Sequence, residues 1–378
     1  MENKPFIFGV ATSGDNFTDR EKETERLLQN FRHGVNTILI SPRRWGKTSL
    51  VQKVCRLAQS DKLKIVYLDI FSCRSDGDFY DAFASAILKQ TSSKWEEWVE
   101  NAKLFLSRIT PKISIGPDPM TDFSISLEIN PQSNDIDEIL QLPEKIAQKK
   151  GCNIVVCIDE FQQIAEFKDS KIFQKRLRSV WQLQKSVSYC LFGSKKHLMN
   201  ELFEKKSYPF YKFGDAIYLS KIGTQDWIEY ICRRFEVTGK HISEELAEKI
   251  CQKVDNHSSY VQQLAWLVWI HTDKTATDQD FEAAYQDIID QNTPLFEKQT
   301  ESLTTYQMNF LRAVIDGIHS EFTTQEVLHK YQLGSSANVS IVKRALVKKE
   351  LIEIEKRQVV IPDPIMAVWL KRELGRLA

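Results

Sequence analysis

Short apolar runs alternate with amphipathic stretches through the first half of the chain. Residues 37–40 read TILI between polar neighbours and end at a glycine-containing loop, which predicts a buried strand. Further strands are predicted at 64–70 (KIVYLDI), 154–158, 189–192 and 216–219, with helices at 47–60, 78–91 and 172–184. Apolar strands separated by helices specify an α/β fold, a mostly parallel sheet covered on both faces. One stretch departs from this. Apolar residues at 113, 115, 123, 125, 127 and 129 alternate with polar ones around Gly116, Pro117, Asp118 and Pro119, which predicts an inserted β-hairpin at about 111–131.

From 221 onward the strands stop. Helices are predicted near 224–236, 243–254, 257–272 and 278–291, and Thr277 with Asp280 three residues on is a capping signature for the last. Helices at 305–317, 323–332 and 336–349, followed by a hairpin at 351–361, have winged-helix order. The expected domains are an α/β domain over 1–220, a helical lid subdomain over 221–298 and a winged helix over 299–378. The pairs Trp95/Trp98 and Trp266/Trp269, at helical spacing, are assigned to the core, as is Trp369.

Composition narrows the class. A chain of 378 residues, 42% apolar and 27% charged, supports two or three cores and no long disorder. Its 51 Lys and Arg balance its 51 Asp and Glu, so any argument about partners rests on local patches. No 18-residue apolar run and no signal-peptide pattern occur, which predicts a soluble cytoplasmic protein without a membrane partner. The seven cysteines form no Cys-x-x-Cys pair. Cys152 and Cys157 read as core residues, and free thiols suit a reducing compartment.

The chemistry is concentrated at two strand ends. Ser41-Pro42-Arg43-Arg44-Trp45-Gly46-Lys47-Thr48, continuing into Ser49, lies between a strand and a helix, the context a phosphate-binding loop requires. Backbone N–H groups at such a helix start converge on phosphate oxygens. Gly46 lets the backbone approach, Lys47 reaches the phosphates, and the Thr48 hydroxyl suits Mg²⁺. Ser41 stands where the motif usually has its first glycine, which predicts a steric cost at positive φ. About 110 residues on, a second apolar strand ends in Asp159-Glu160. Acids at that end of a parallel strand lie where ligands bind. Asp159 is expected to hold Mg²⁺ through a water, and Glu160 to polarise the water attacking ATP. Ser194, closing the strand 189–192, is within reach of the γ-phosphate or the attacking water, a plain strand-to-helix turn being the alternative.

With these residues in place, the chain resembles the archaeal-type AAA-like/STAND group of prokaryotic P-loop ATPases. The resemblance rests on Phe17-Thr18-Asp19-Arg20-Glu21-Lys22-Glu23, PRRWGKTSL at 42–50, YLDI at 67–70, IDEFQQI at 158–164 and FGS at 192–194. YPFY at 208–211 and Asp363-Pro364 with Trp369 extend it. It implies ATP and Mg²⁺ as cofactors, Arg20 at the nucleotide, a helical lid, and a nucleotide-driven switch. The chain departs from the group twice. Residues 256–262 lack the proline common in the lid motif, and Lys212-Phe213-Gly214 follows YPFY where arginine is frequent. Arg176, Arg178, Arg233 and Arg234 are the alternatives for that arginine.

Residues 321–378 hold ten Lys and Arg against seven Asp and Glu. Lys343, Arg344, Lys348 and Lys349 fall on or just after the predicted recognition helix, and Lys356-Arg357 on the wing tip. These suit phosphate contacts along duplex DNA, or a solvated face on a protein-binding module. Three readings stay open: an ATPase driving movement of lid and winged helix, a non-hydrolysing ATP-dependent switch, and a DNA-binding regulator with ATP as effector. Oligomerisation stays open as well.

Overall fold

The computed structural model describes residues 4–10, 17–92, 95–106, 110–115, 123–128 and 135–376. The chain forms two compact units, one over 11–220 and one joining 221–378 to the first ten residues.

The strands of the first unit are β1 (Thr37–Ile40), β2 (Leu63–Asp69), β3 (Thr110–Ile115), β4 (Phe123–Glu128), β5 (Asn153–Asp159), β6 (Val187–Gly193) and β7 (Asp215–Tyr218). Five form one parallel sheet in the order β2-β5-β6-β1-β7. The chain leaves β1 for the far edge, returns strand by strand, and then crosses to β7. The C-terminal end of β1 is thus the point where the strand order reverses, which in open α/β sheets is where ligands bind.

Alternation along β1 explains why its apolar run has no polar face. Leu39 packs with Leu27 and Phe31 of helix α1 (Glu21–Arg32) and with Leu50 and Val54 of α2 (Lys47–Ala58). Ile38 and Ile40 face the opposite layer, built from α3 (Asp76–Thr91), α4 (Trp95–Phe105), α5 (Asp135–Lys150) and α6 (Ser170–Trp181). Trp181 stacks on Tyr189 at 4.0 Å between ring centroids, and Phe210 of the 208–211 motif closes edge-on against Phe161 and Phe213. Helix α7 (Lys196–Glu204) follows β6. Strands β3 and β4 pair antiparallel as a separate two-stranded sheet, as the alternation predicts. The turn at Gly116–Pro119 and the side chain of Trp95 lie outside the described residues, while Trp98 is buried. All seven cysteines are free, and Cys152 and Cys157 are buried.

The second unit contains α8 (Thr224–Glu236), α9 (Glu244–Lys253), α10 (Ser258–His271), α11 (Asp278–Glu301), α12 (Thr305–Ile315), α13 (Gln325–Lys330), α14 (Ser336–Lys348), the wing strands β8 (Glu353–Glu355) and β9 (Gln358–Val360), and α15 (Pro364–Arg376). Thr277 and Asp280 form the expected capping box on α11. That helix runs ten residues beyond the expected 291 and carries Pro294 inside it. A division at 298/299 therefore falls within a helix. The apolar cluster is continuous across it, with Phe296 against Trp369 at 5.7 Å. Trp266 and Trp269 stack at 5.1 Å and are only partly buried, at the edge of this core. The start of the chain belongs here too: Arg234 donates to the carbonyls of Lys4 and Pro5, and Phe6 packs edge-on to Tyr230 and Phe235.

Candidate active site

The loop 41–46 leaves β1 and enters α2 through Gly46, whose φ of 86° is left-handed. Arg44 is left-handed as well, with φ 63°, whereas Ser41 is not among the positive-φ residues. The steric cost expected for Ser41 is therefore absent. The strained positions of the loop lie further on, and the Ser41 hydroxyl turns back to the Pro42 carbonyl at 3.0 Å. Lys47 is 6% exposed, and its ammonium donates to the Pro42 carbonyl at 3.3 Å. Burial pushes its pKa down, against the pull of Glu160 and Asp159. Ser49 is buried, while Arg43, Arg44 and Gly46 are exposed and Pro42, Trp45 and Thr48 half-buried.

Register brings the acids to the loop. Asp159 ends β5, and Thr48 on α2 donates to its Oδ2 at 3.0 Å. Tyr67 on β2 donates to the same oxygen at 2.7 Å, and the Glu160 backbone N–H donates to Oδ1 at 2.8 Å. Burial raises the Asp159 pKa despite these three bonds. The Tyr67 phenol is pushed far above its usual value by its own burial and then by Asp159, which keeps it a donor.

Because β6 lies between β1 and β5, Ser194 sits between loop and acid. Its hydroxyl donates to Glu160 Oε2 at 2.8 Å and receives Arg43 Nε at 3.3 Å. The structure thus brings Arg43, Lys47, Thr48, Asp159, Glu160 and Ser194 together. Arg20 joins them through a long bond to the Trp45 carbonyl, 3.4 Å, while also pairing with Glu23 at 3.1 Å. It is 3% exposed, so its guanidinium is built in beside the loop.

The four alternative arginines all have other local partners. Arg176 pairs with Asp137 at 2.9 Å, and Arg178 lies 4.7 Å over the Phe213 ring. Arg233 lies 6.0 Å from the Tyr230 ring, and Arg234 holds the carbonyls of residues 4 and 5. Two site residues escaped the sequence reading. Tyr67 stands inside a quoted motif, where period-2 alternation with buried Val66 and Leu68 points it toward the α2 layer. Gln162 donates to Glu160 Oε2 from the turn just after the acids. Its position two residues beyond Glu160 was the available signal.

In the second unit, Arg344, Lys348, Lys349, Lys356 and Arg357 are exposed and Lys343 half-buried. Asp363 serves the fold, since its carboxylate caps α15 at Ile365 and Met366 and accepts from Tyr260 at 2.7 Å. Among the described residues no helix is long and apolar enough to cross a membrane.

Comparison with known proteins bears on the family and the fold. The family described as an ATPase domain predominantly from Archaea matches residues 17–222, and a probable winged helix domain matches residues 294–372. No curated protein matches by sequence. Among solved structures, a Walker-type ATPase of Pyrococcus abyssi is similar over 97% of this chain and 99% of its own, at 16% identity and a TM-score of 0.69. The ORC2 protein of Aeropyrum pernix, solved as ADPNP and ADP complexes, is similar over 99% and 97%, at 13% identity and a TM-score of 0.59.

Proposed function

We infer, from the premise that the chain belongs to the family of ATPase domains predominantly from Archaea, that its phosphate loop and paired acids hydrolyse MgATP to drive a switch in its helical and winged-helix region. The chain is an ATPase by family, and the finer reading rests on one observation. Thr48 with Asp159, and Ser194 with Glu160, are paired at 3.0 and 2.8 Å directly beside the loop that carries Lys47. The loop N–H groups and Lys47 bind the phosphates. The donors fit Mg²⁺, since a hydroxyl and a carboxylate are hard oxygen ligands for an ion that takes its other ligands from phosphate and water. When bound, the ion neutralises phosphate charge. Glu160 accepts the proton of the attacking water, and Ser194 orients the Glu160 carboxylate. The neighbouring ORC2 structure, with ADPNP and ADP, supports an adenine nucleotide as ligand. Seven free cysteines favour a reducing compartment such as the cytoplasm. The test is Glu160→Gln, which keeps shape and loses the basic oxygen. ATP should still bind while turnover falls about 100-fold or more. A variant that hydrolyses as fast as the parent removes the base and leaves an ATP-dependent binding switch.

Duplex DNA is the partner favoured for the winged helix, because α14 and the wing expose Arg344, Lys348, Lys356 and Arg357 on one module. Lys343→Glu with Arg344→Glu should abolish duplex binding at low salt and leave nucleotide affinity alone. Parent protein that binds no duplex at low salt assigns the module to a protein partner.

A further inference from the structure

We propose that Gln162 is the positioning residue that aims the Glu160 carboxylate, and that position 193 is glycine to admit the Gln162 amide; this rests on Glu160 being the base. Gln162 is 2% exposed, yet its Nε2 donates to Glu160 Oε2. Ser194 donates to that same oxygen at 2.8 Å. Both donors therefore hold Oε2, and Oε1 accepts no hydrogen bond from the described residues. A carboxylate gripped on one oxygen presents the other, Oε1, to the water whose proton it takes.

Two features show that the grip is built rather than incidental. A Cβ on Gly193 would stand 1.7 Å from Gln162 Oε1 and 2.9 Å from its Cδ, with Met199 Sδ at 3.2 Å. Gly193 is not in the left-handed region, so close packing by the amide is what excludes a side chain there. Glu160 is left-handed, with φ 53°, and begins the 3-10 helix Phe161–Glu166. That turn, unfavourable for a residue with a Cβ, brings the amide two residues on back over the carboxylate. Gln162 Oε1 is buried with no partner among the described residues. A residue that packed only for the core would be expected to be apolar there, since a buried unmatched acceptor is destabilising. Its opposite end, the NH₂, makes the contact that requires an amide.

The experiment is single-turnover ATP cleavage at saturating MgATP, with nucleotide affinity measured separately on a fluorescent ATP analogue. Gln162→Ala should slow cleavage about 10-fold or more while affinity changes less than about 2-fold, a loss confined to the transition state. Gly193→Ala should reproduce this by displacing the amide. Adding Gly193→Ala to Gln162→Ala should cost nothing further, because the clash has gone; such non-additivity marks one shared interaction. Singles that cleave like the parent, or losses that multiply in the double variant, overturn the proposal. Glu160→Gln separates the two levels. If it cleaves as fast as the parent, the base assignment has failed and Gln162 with it. If it is inactive while Gln162→Ala and Gly193→Ala are normal, the base stands and the positioning role falls. Should melting show Gln162→Ala unfolded at the assay temperature, Gln162→Met fills the same volume without the donor and answers the question.

Discussion

Replacing Asp159 with Asn separates what this carboxylate does for the nucleotide from its effect on the fold. Asp159 is 5% exposed and accepts from Thr48 at 3.0 Å, Tyr67 at 2.7 Å and the Glu160 N–H at 2.8 Å. Burial nevertheless holds its pKa above the ordinary 3.8. An acid whose folded pKa is raised binds its proton more tightly in the folded chain than in the unfolded one. Its contribution to stability is therefore full below about 3.8 and is lost as pH rises through the raised value. At neutral pH the ionised side chain is a net cost to the unliganded protein. Asn carries no charge, its carbonyl still accepts from the Glu160 N–H, and its NH₂ donates to hydroxyls that rotate to receive it. Asp159→Asn should therefore raise unliganded stability near pH 7 by about 1 kcal/mol, or about 2–4 °C in melting temperature for a unit of this size. The gap should close as pH falls toward about 4. MgATP at about 100 times its Kd stabilises the parent by about 2.7 kcal/mol, or about 5–10 °C, and the variant should lose most of that shift. Melting curves with and without MgATP and with EDTA, across this pH range, measure both. A variant that melts below the parent near pH 7 without nucleotide, or keeps the full MgATP shift, refutes the reasoning.

Lys47→Ala removes the buried ammonium that the proposed function assigns to the phosphates, and ATP affinity should fall about 10-fold or more, read as loss of ATP-induced thermal stabilisation. Gly214→Ala places a Cβ 2.1 Å from the Asn36 carbonyl oxygen and 2.5 Å from its carbon. Both are backbone beside the β1–β7 ladder, so about 1–3 kcal/mol should be lost, seen as a lower denaturant midpoint with unchanged slope. Lys356 and Arg357, at φ 46° and 73°, occupy a two-residue turn that favours Asn-Gly. Lys356→Asn with Arg357→Gly should raise stability by about 1 kcal/mol and, on the DNA reading, flatten the salt dependence of duplex affinity by about two phosphate contacts; an unchanged salt slope removes the wing from the interface.

What the sequence made legible follows from how local each signal is. The three interior strands β5, β6 and β1 are nearly continuous apolar runs, because each is buried on both faces, and such runs survive without tertiary context. The phosphate loop and the acids declare themselves by residue type at strand ends. The N-terminal helix α1 is harder to see, since its buried apolar face is only Leu27, Leu28 and Phe31 within an otherwise charged stretch. Helix α5 carries Pro143 in its interior, which reads as a breaker until α3, α6 and β5 hold the helix in place. The contacts of Arg20 with the loop, and of Tyr67 with Asp159, join residues 25 and 92 positions apart. Only the strand order β2-β5-β6-β1 creates the second of these, and no local pattern encodes it.

Left-handed helix entries concentrate at the candidate site. Helices α3, α9, α11, α12, α13 and α14 each start at a Ser or Thr whose side chain accepts from the helix's own N–H groups. Among the described residues, four helices are entered through a left-handed residue with no side-chain cap: α1 at Arg20, α2 at Gly46, the 3-10 helix at Glu160, and α6 at Asp169. Three of those four entry residues are site residues expected from the sequence. A side-chain cap consumes N–H groups that would otherwise be free to meet an anion, and it places an oxygen where a phosphate oxygen would sit. A left-handed entry does the reverse, clearing the helix axis at a cost of about 1–2 kcal/mol for each residue with a Cβ. That cost at Arg20 and Glu160, and the glycine that avoids it at Gly46, are intelligible when the ligand itself completes the hydrogen bonding.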